Sequence, residues 1–259
     1  MIPQKTIRLL LKKIRVHYLM DWFFRTFPRK GQVGNFHYPV DSLESWLVEK
    51  EIFCQKIYDG VLDLSRVQTF ADLGCNRGFF SLWLAAKTSR SLEGVLVEAN
   101  PCLIPKITRL VAENQLSHFV VIHGAVGAGI QEREVEILVP PTDVGAGLAA
   151  KTCDSLRGDP CESFRVPALH FNKIWKENFP DGKGCDLLKV DIEGAEGKFF
   201  IDEIEFLSTV SQLVIEVHER MVDSTQIRES LKKLGFSILK ESREDADTFL
   251  LFACRKSQG

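Results

Sequence analysis

The chain has 259 residues, of which 45% are hydrophobic and 26% are charged, and its formal net charge at pH 7 is −2. This length suits one large α/β domain with an additional segment, and the composition is typical of a globular protein. A net charge so close to zero argues against a dedicated nucleic-acid binder.

Three features of the sequence indicate where in the cell the protein resides. The seven cysteines are odd in number and form no CxxC pair, which argues against a disulfide framework or a zinc site and favours a reducing compartment. No apolar run approaches the roughly 20 residues of a membrane span. The N-terminus also lacks the apolar core and cleavage site of a signal peptide. We therefore expect a cytoplasmic protein.

The N-terminal segment is basic and amphipathic. Residues 5–27 show apolar positions at helical spacing, and the first thirty residues contain eight Lys or Arg against a single acid, Asp21. Such a helix either lies peripherally on an anionic membrane surface or packs on the domain or on a second copy of the chain; we favour packing. Residues 31–39 are predicted to be a loop, and Ser42 is predicted to cap a second helix. This predicts a helical extension over residues 1–60, followed by the α/β domain over residues 61–259.

The stretch from Val67 to Ser81 predicts a strand, a glycine turn and a helix, which together open a nucleotide-binding βαβ unit. Gly74 and Gly78 allow the backbone to turn tightly and to approach a ligand. Asn76 stands where a dinucleotide fingerprint has glycine. Asp72 would repel a pyrophosphate but attract an ammonium group. These residues favour S-adenosylmethionine, whose amino-acid end carries an ammonium.

The next two predicted strands add candidates for the rest of such a ligand. Residues 94–98 form a strand that ends in Glu98, about 20 residues past Gly78, which is the spacing at which these folds bind ribose hydroxyls. Residues 119–123 form the third strand. The small residues 124–127 that follow suit a flat adenine ring lying against the backbone.

The middle of the chain predicts peripheral elements. Residues 134–139 and 166–169 are predicted to be accessory strands, and the irregular, Gly-rich stretch 140–160 between them a long loop. Such a loop in a compact domain often serves as a lid or a substrate wall. Asn172 is predicted to cap a helix that runs to Phe179.

Charged residues recur at the ends of the last core strands. Lys189, Asp191 and Glu193 are spaced two apart and share a face if the strand of residues 185–192 extends that far. Glu216 and His218 share a face of the strand 213–218. Charges on central parallel strands are costly except at the open end, where ligands bind. A closing strand pair, 236–239 and 248–254, is predicted to complete the sheet.

Together these motifs resemble the FkbM family of S-adenosylmethionine-dependent methyltransferases. The matching segments occur in the family's order between about residues 67 and 218, and they are 72–81, 97–101, 124–127, 188–196 and 216–218. The run Leu-Lys-Val-Asp-Ile-Glu-Gly-Ala-Glu over 188–196 is the most specific. The resemblance implies a Rossmann-like class I methyltransferase with a seven-stranded, mostly parallel sheet whose last strand is antiparallel. It also implies methyl transfer to a hydroxyl of a sugar, polyketide or other natural product.

The resemblance further implies which residues hold the cofactor. The methionine part would contact Asp72, Gly74, Asn76 and Gly78; the ribose would contact Glu98 and Asn100; the adenine would contact Gly124 and Ala125. The family usually has proline or a similar residue where this chain has Ala99, which is a mild departure.

For catalysis we favour His218 as the base, because an imidazole with a pKa near 6.5 accepts a proton at neutral pH. Asp191 or Glu216 would orient His218 or serve as the base instead, and Lys189 would pair with one of these acids. The side chains of Asp191, Glu193, Glu216 and His218 could instead ligate Mg²⁺ or another divalent ion, which we do not favour. A nicotinamide-dependent oxidoreductase and a non-catalytic, membrane-associated adaptor are the alternative functions.

Overall fold

The computed structural model describes residues 16–88, 91–129, 131–140, 147–148, 161–244 and 246–255. The predictions for residues 5–15 and for most of the 140–160 loop lie outside the described residues. In the part described, no helix combines the length and apolarity needed to cross a bilayer.

The strands, in chain order, are β1 (Arg29–Val33), β2 (Phe36–Val40), β3 (Thr69–Leu73), β4 (Glu93–Glu98), β5 (Phe119–His123), β6 (Ala125–Val126), β7 (Glu134–Val139), β8 (Gly147–Leu148), β9 (Glu162–Leu169), β10 (Cys185–Val190), β11 (Val210–His218), β12 (Phe236–Arg243) and β13 (Thr248–Arg255). The α-helices are α1 (Val16–Thr26), α2 (Leu43–Glu49), α3 (Phe79–Lys87), α4 (Ile104–Glu113), α5 (Phe171–Asn178), α6 (Glu196–Asp202), α7 (Ile204–Leu207) and α8 (Ser224–Lys233).

The central sheet has seven strands in the order β12-β13-β11-β10-β3-β4-β5. Strand β13 runs antiparallel to both of its neighbours, and the pairs from β11 to β5 are parallel. Strand β3 is buried along its whole length, as expected for a parallel strand covered on both faces. The predicted seven-stranded α/β sheet with an antiparallel last strand is confirmed.

The sheet carries a hydrophobic core on each face. One core contains Phe171 of α5, Phe199 of α6, Phe206 of α7 and Ile227 of α8. The other contains residues of α3 and α4 together with residues 38–58 of the N-terminal segment. The N-terminal segment is therefore built into the hydrophobic core of the sheet domain.

The predicted loop over residues 31–39 is wrong, because β1 and β2 form an antiparallel hairpin there. Gly34 makes the turn with a positive φ of 55°. Gly31 lies under the ring of Tyr38, where an added Cβ would come within 2.1 Å of the ring. Tyr38 in turn stacks on Phe53 at 4.6 Å between ring centroids. Tertiary packing of aromatic residues thus orders a stretch that has a loop-like composition.

Two helix starts differ in how they are capped. Ser42 accepts a hydrogen bond from Ser45 N and caps α2, as predicted. Asn172, in contrast, lies inside α5, which begins at Phe171. The first N–H groups of α5, from Phe171 and Asn172, donate to the carboxylate of Glu203 at 2.7 and 2.8 Å. Glu203, which is distant in the sequence, therefore caps α5 in place of the predicted Asn172.

The accessory strands form a second, four-stranded sheet in the order β6-β9-β7-β8. Strands β7 and β9 were predicted as accessory strands, whereas β6 and β8 fall in stretches predicted to be turn and loop. Both are two residues long. Strand β6 connects the small sheet to the end of β5, so this sheet lies beside the candidate site.

Candidate active site

The predicted site residues converge at the carboxyl ends of β3, β4, β10 and β11. Strand β3 lies between β4 and β10, and the chain order reverses there, which is where open α/β sheets bind ligands. The loops after β3 and β10 touch at this point. An added Cβ on Gly74 would come within 1.7 Å of the Asp191 carbonyl oxygen, so the loop contact requires glycine.

The turn between β3 and α3 has the conformation that its glycines predict. Gly74, Asn76 and Gly78 have positive φ angles of 69°, 52° and 74°. The N–H groups of Gly74 and Cys75 both donate to the Val97 carbonyl, which fixes the turn against β4. Gly78 precedes α3 and provides no side-chain cap. The arrangement leaves backbone N–H groups at the start of α3 for a polar ligand.

Asp72 and Lys189 form the floor of the site. Asp72 is fully buried; its Oδ2 accepts a 2.7 Å hydrogen bond from Ser81, and its Oδ1 lies 3.4 Å from Lys189 Nζ without a hydrogen bond. Lys189 donates to the Gly74 carbonyl at 2.6 Å and lies 3.5 Å from Asp191. Burial lowers the pKa of Lys189, but Asp191 and Asp72 outweigh it and raise that pKa. Lys189 therefore stays charged, and it links the loop after β3 to the loop after β10.

Glu98 connects the turn to the loop after β4. Its Oε2 accepts from Asn76 N at 2.7 Å, and its Oε1 accepts from Asn100 N at 2.8 Å. Burial raises the pKa of Glu98 to about 7, although the two backbone hydrogen bonds oppose the shift. Asn100 is fully buried, and its Nδ2 donates no hydrogen bond. An unused buried donor beside an acid with spare lone pairs suits a ligand that carries hydroxyls.

Gly124 and Ala125 follow β5 on the same side of the sheet. Gly124 N donates to the Glu98 carbonyl at 3.0 Å. Ala125 belongs to β6, and its side chain packs in the core of the small sheet with Ile137, Val139 and Val166. A side chain on Gly124 would collide with Leu169 at 2.7 Å. The small residues at these two positions therefore keep the chain close to the second sheet.

The structure adds Glu44, which the sequence analysis did not identify. Asn76 Nδ2 donates to Glu44 Oε1 at 2.7 Å, while Asn76 Oδ1 is buried without a hydrogen bond. Next to it, the buried Arg77 donates to Asp41 and Ser42, each at 2.7 Å. The start of α2 is thus joined to the turn by polar contacts. No local motif marks Glu44, since its role depends on how α2 packs.

His218 lies at the centre of four carboxylates, which we call the acidic cluster: Asp191, Glu193, Glu196 and Glu216. His218 Nδ1 lies 3.0 Å from Glu196 Oε1, and its Nε2 lies 3.4 Å from Glu193 Oε2 and 3.8 Å from Glu216 Oε1. Strand β10 ends at Val190, so Asp191 and Glu193 reach the cluster from the following loop, where Glu193 has a positive φ of 49°.

The acidic cluster controls the charge on His218. Burial lowers the pKa of the imidazole, but Glu196, Glu193 and Glu216 outweigh burial and hold that pKa well above 6.5. The acidic cluster therefore favours the protonated form of His218. Burial, followed by the charge of Glu216, raises the pKa of Asp191 above its ordinary range. Glu196, the last residue of the 188–196 motif, had no predicted role; in the structure its carboxylate contacts His218 Nδ1.

Part of the acidic cluster also has the geometry of a cation site. One ligand atom each from Asp191, Glu193 and His218 lie within 4.8 Å of one another. Glu196 on Nδ1 would direct Nε2 toward an ion, an arrangement common around metal-bound histidines. The three residues could accommodate a divalent ion, but acidic groups are often grouped in this way without one.

The charge around the crevice indicates what kind of ligand fits. Among the described residues, Asp72 and the four acids of the cluster face Lys189 and His218, which leaves the crevice acidic. An acidic crevice attracts a cationic ligand and repels a pyrophosphate. The buried, unbonded oxygens of Asp72 and Asn76 offer acceptors to an ammonium group. The residues present therefore fit S-adenosylmethionine, which carries a sulfonium and an ammonium.

Comparison with known proteins also indicates a methyltransferase. A family model described as "Methyltransferase FkbM domain" matches residues 72–238. Methyltransferase sdnD of Sordaria araneosa is 25% identical over 244 residues, which cover 85% of this chain and 93% of the relative.

A solved structure of the same family shows the same fold. The methyltransferase FkbM of Methylobacillus flagellatus is similar with a TM-score of 0.51 and 16% identity; the match covers 80% of this chain and 51% of that longer chain. A fibrillarin from Aeropyrum pernix, solved with natively bound S-adenosyl-L-methionine, is similar with a TM-score of 0.42 and 12% identity, covering 74% of this chain and 68% of the other.

Proposed function

Because the chain belongs to the FkbM methyltransferase family, with S-adenosylmethionine as its cofactor, we propose that it methylates a hydroxyl group of a small molecule. We further propose a sugar, polyketide or similar natural product as the acceptor. The observation that supports transfer to oxygen is the position of His218 within the acidic cluster, at the carboxyl end of β11. A hydroxyl must lose its proton during methylation, and this cluster holds groups that accept protons.

The residues of the predicted cofactor site have proposed roles that follow from their contacts and conformation. Gly74 and Gly78, which have positive φ angles, would shape the turn beside the methionine part. Asp72 and Asn76 would bind the ammonium group through their buried oxygens. Glu98 and Asn100 would bind the ribose hydroxyls. The backbone at Gly124 and Ala125 would border the adenine. When bound, S-adenosylmethionine supplies a methyl group that is already activated for transfer.

His218 is the proposed base, oriented by Glu196 through Nδ1, so that Nε2 is the atom that takes the proton. Because the raised pKa favours the protonated imidazole, Nε2 must be deprotonated before His218 can act as the base. A cationic ligand in the acidic crevice would favour that deprotonation, because like charge disfavours the imidazolium. Asp191 and Glu216 would orient the acceptor or serve as the base in its place. Lys189 would hold the loop after β3 and the loop after β10 in position against each other, through its contacts with Gly74 and Asp191.

Acceptor screening with isotopically labelled S-adenosylmethionine tests the proposal. Each hydroxyl compound should be offered beside its deoxy and amino analogues. Label in the hydroxyl compound alone, as an ether that survives mild alkali, supports transfer to oxygen. Preferential labelling of the amino analogue would overturn it.

A further inference from the structure

Helix α1 carries an exposed apolar face that the reaction does not use. The exposed fractions are 45% for Tyr18, 64% for Leu19, 58% for Trp22, 51% for Phe23 and 59% for Phe27. These positions recur at helical spacing, and Phe27 extends the last turn through a hydrogen bond from its N to the Phe23 carbonyl. They therefore form one stripe on the outside of the molecule, which we call the α1 stripe. Contiguous exposed apolar groups of this kind mark interaction surfaces.

The opposite face of α1 is fixed to the domain. Asp21 is buried, and its Oδ1 accepts a 2.9 Å hydrogen bond from Leu43 N at the start of α2. Phe24 stacks on Trp46 of α2 at 5.8 Å between ring centroids, with their planes 25° apart. These contacts fix the orientation of α1 about its own axis. The α1 stripe, on the opposite side of the helix, therefore faces solvent.

Charge indicates the partner. The first thirty residues hold eight Lys or Arg and one acid, and that acid, Asp21, is turned inward and bonded to Arg25 and Leu43 N. Among these basic residues Arg25 pairs with Asp21 and Arg29 pairs with Glu49, so the charge available to a partner comes from Lys5, Arg8, Lys12, Lys13, Arg15 and Lys30. A second copy seated on the α1 stripe would bring two such basic segments together, which like-charge repulsion disfavours.

We propose that the α1 stripe docks on an anionic phospholipid surface. Tryptophan, phenylalanine and leucine side chains beside lysines and arginines are the composition of helices that lie in the membrane interface. The aromatic rings would enter the headgroup region, while the basic side chains contact the lipid phosphates. Docking involves none of the proposed reaction residues. Membrane binding can therefore be tested separately from methyl transfer.

Vesicle flotation of the full chain tests this proposal. The protein should float with phosphatidylcholine vesicles that contain phosphatidylglycerol and stay behind with pure phosphatidylcholine, and high salt should weaken the binding. The double variant Trp22→Ser/Phe23→Ser should lower partitioning at least about tenfold. Phe27→Ser alone should act in the same direction, which keeps the test valid if the double variant misfolds.

The matched control is Ile201→Ser/Ile204→Ser, since these two side chains are 49% and 55% exposed on α6 and α7. This control should float as the wild type does. Absence of flotation with anionic vesicles, or an equal loss in the control, would overturn the proposal. A wild-type dimer that the Trp22→Ser/Phe23→Ser variant converts to monomer, without vesicle binding, would instead assign the stripe to a second copy.

Discussion

Asn76 Nδ2 donates a 2.7 Å hydrogen bond to Glu44 Oε1, which joins the turn between β3 and α3 to helix α2 of the N-terminal segment. Asn76 has a positive φ of 52°, a conformation that few residues other than glycine adopt. Its N–H is at the same time bonded to Glu98. Glu44 therefore holds the side chain of a residue whose backbone is already fixed, and it lies outside the range matched by the family model.

Replacing Glu44 should weaken cofactor binding. A hydrogen bond to a charged group contributes about 1.5–3 kcal/mol, so Glu44→Ala should raise the dissociation constant of S-adenosylhomocysteine by roughly tenfold or more. Glu44→Gln keeps an acceptor for Asn76 and should bind nearly as the wild type does. Calorimetric titration of both variants measures this. Equal affinity in Glu44→Ala and the wild type would show that Glu44 has no part in shaping the turn.

Removing the proposed base should reduce turnover. His218→Gln should lower kcat by roughly 10²–10⁴ while leaving S-adenosylhomocysteine binding close to the wild type. The exposed His118 provides the control, and His118→Gln should be as active as the wild type.

The wild-type pH profile provides a second test of the same role. A base must be unprotonated to act, and the acidic cluster raises the pKa of His218, so kcat/KM should increase with pH with an apparent pKa above 6.5. In His218→Gln this increase should be absent. If it persists there, the base is a different group, with Asp191 and Glu216 next in line.

Most of the core strands, and the residues that gather at their carboxyl ends, could be predicted from the sequence. Glycine spacing, apolar runs and an acid at the end of β4 are local signals, and they place Asp72, Gly74 and Glu98 correctly beside one another. The β1–β2 hairpin was missed because its order comes from Tyr38 packing on Gly31 and Phe53. The roles of Glu44 and Glu196 likewise come from tertiary contacts, and the raised pKa of His218 comes from carboxylates on three different segments.

Lys189 should be important for stability as well as for the site. It is buried between Asp72 and Asp191, so Lys189→Met leaves two acids without their cation, which typically costs about 3–5 kcal/mol. Urea denaturation measures the loss. Lys183 forms an exposed pair with Glu93, and Lys183→Met should change the midpoint little. Similar losses in both variants would contradict the proposed role of Lys189.

Chelation distinguishes base catalysis from metal catalysis. The cation geometry of Asp191, Glu193 and His218 does not by itself require an ion, and we expect EDTA treatment to leave kcat within about twofold of the untreated enzyme, far from the loss expected when a metal activates the hydroxyl. Activity that falls on chelation and returns with Mg²⁺ would assign these three residues to a metal site.

We propose that the turn after β3 and the end of β4 hold S-adenosylmethionine. Calorimetric titration of the wild type and of Glu98→Ala with S-adenosylhomocysteine, and with NAD as the control ligand, tests it most directly. We predict that the wild type binds S-adenosylhomocysteine and not NAD, and that Glu98→Ala loses at least about tenfold in affinity, because its carboxylate no longer receives the ribose hydroxyls. Failure of the wild type to bind at millimolar ligand, or undiminished binding by Glu98→Ala, would contradict this assignment.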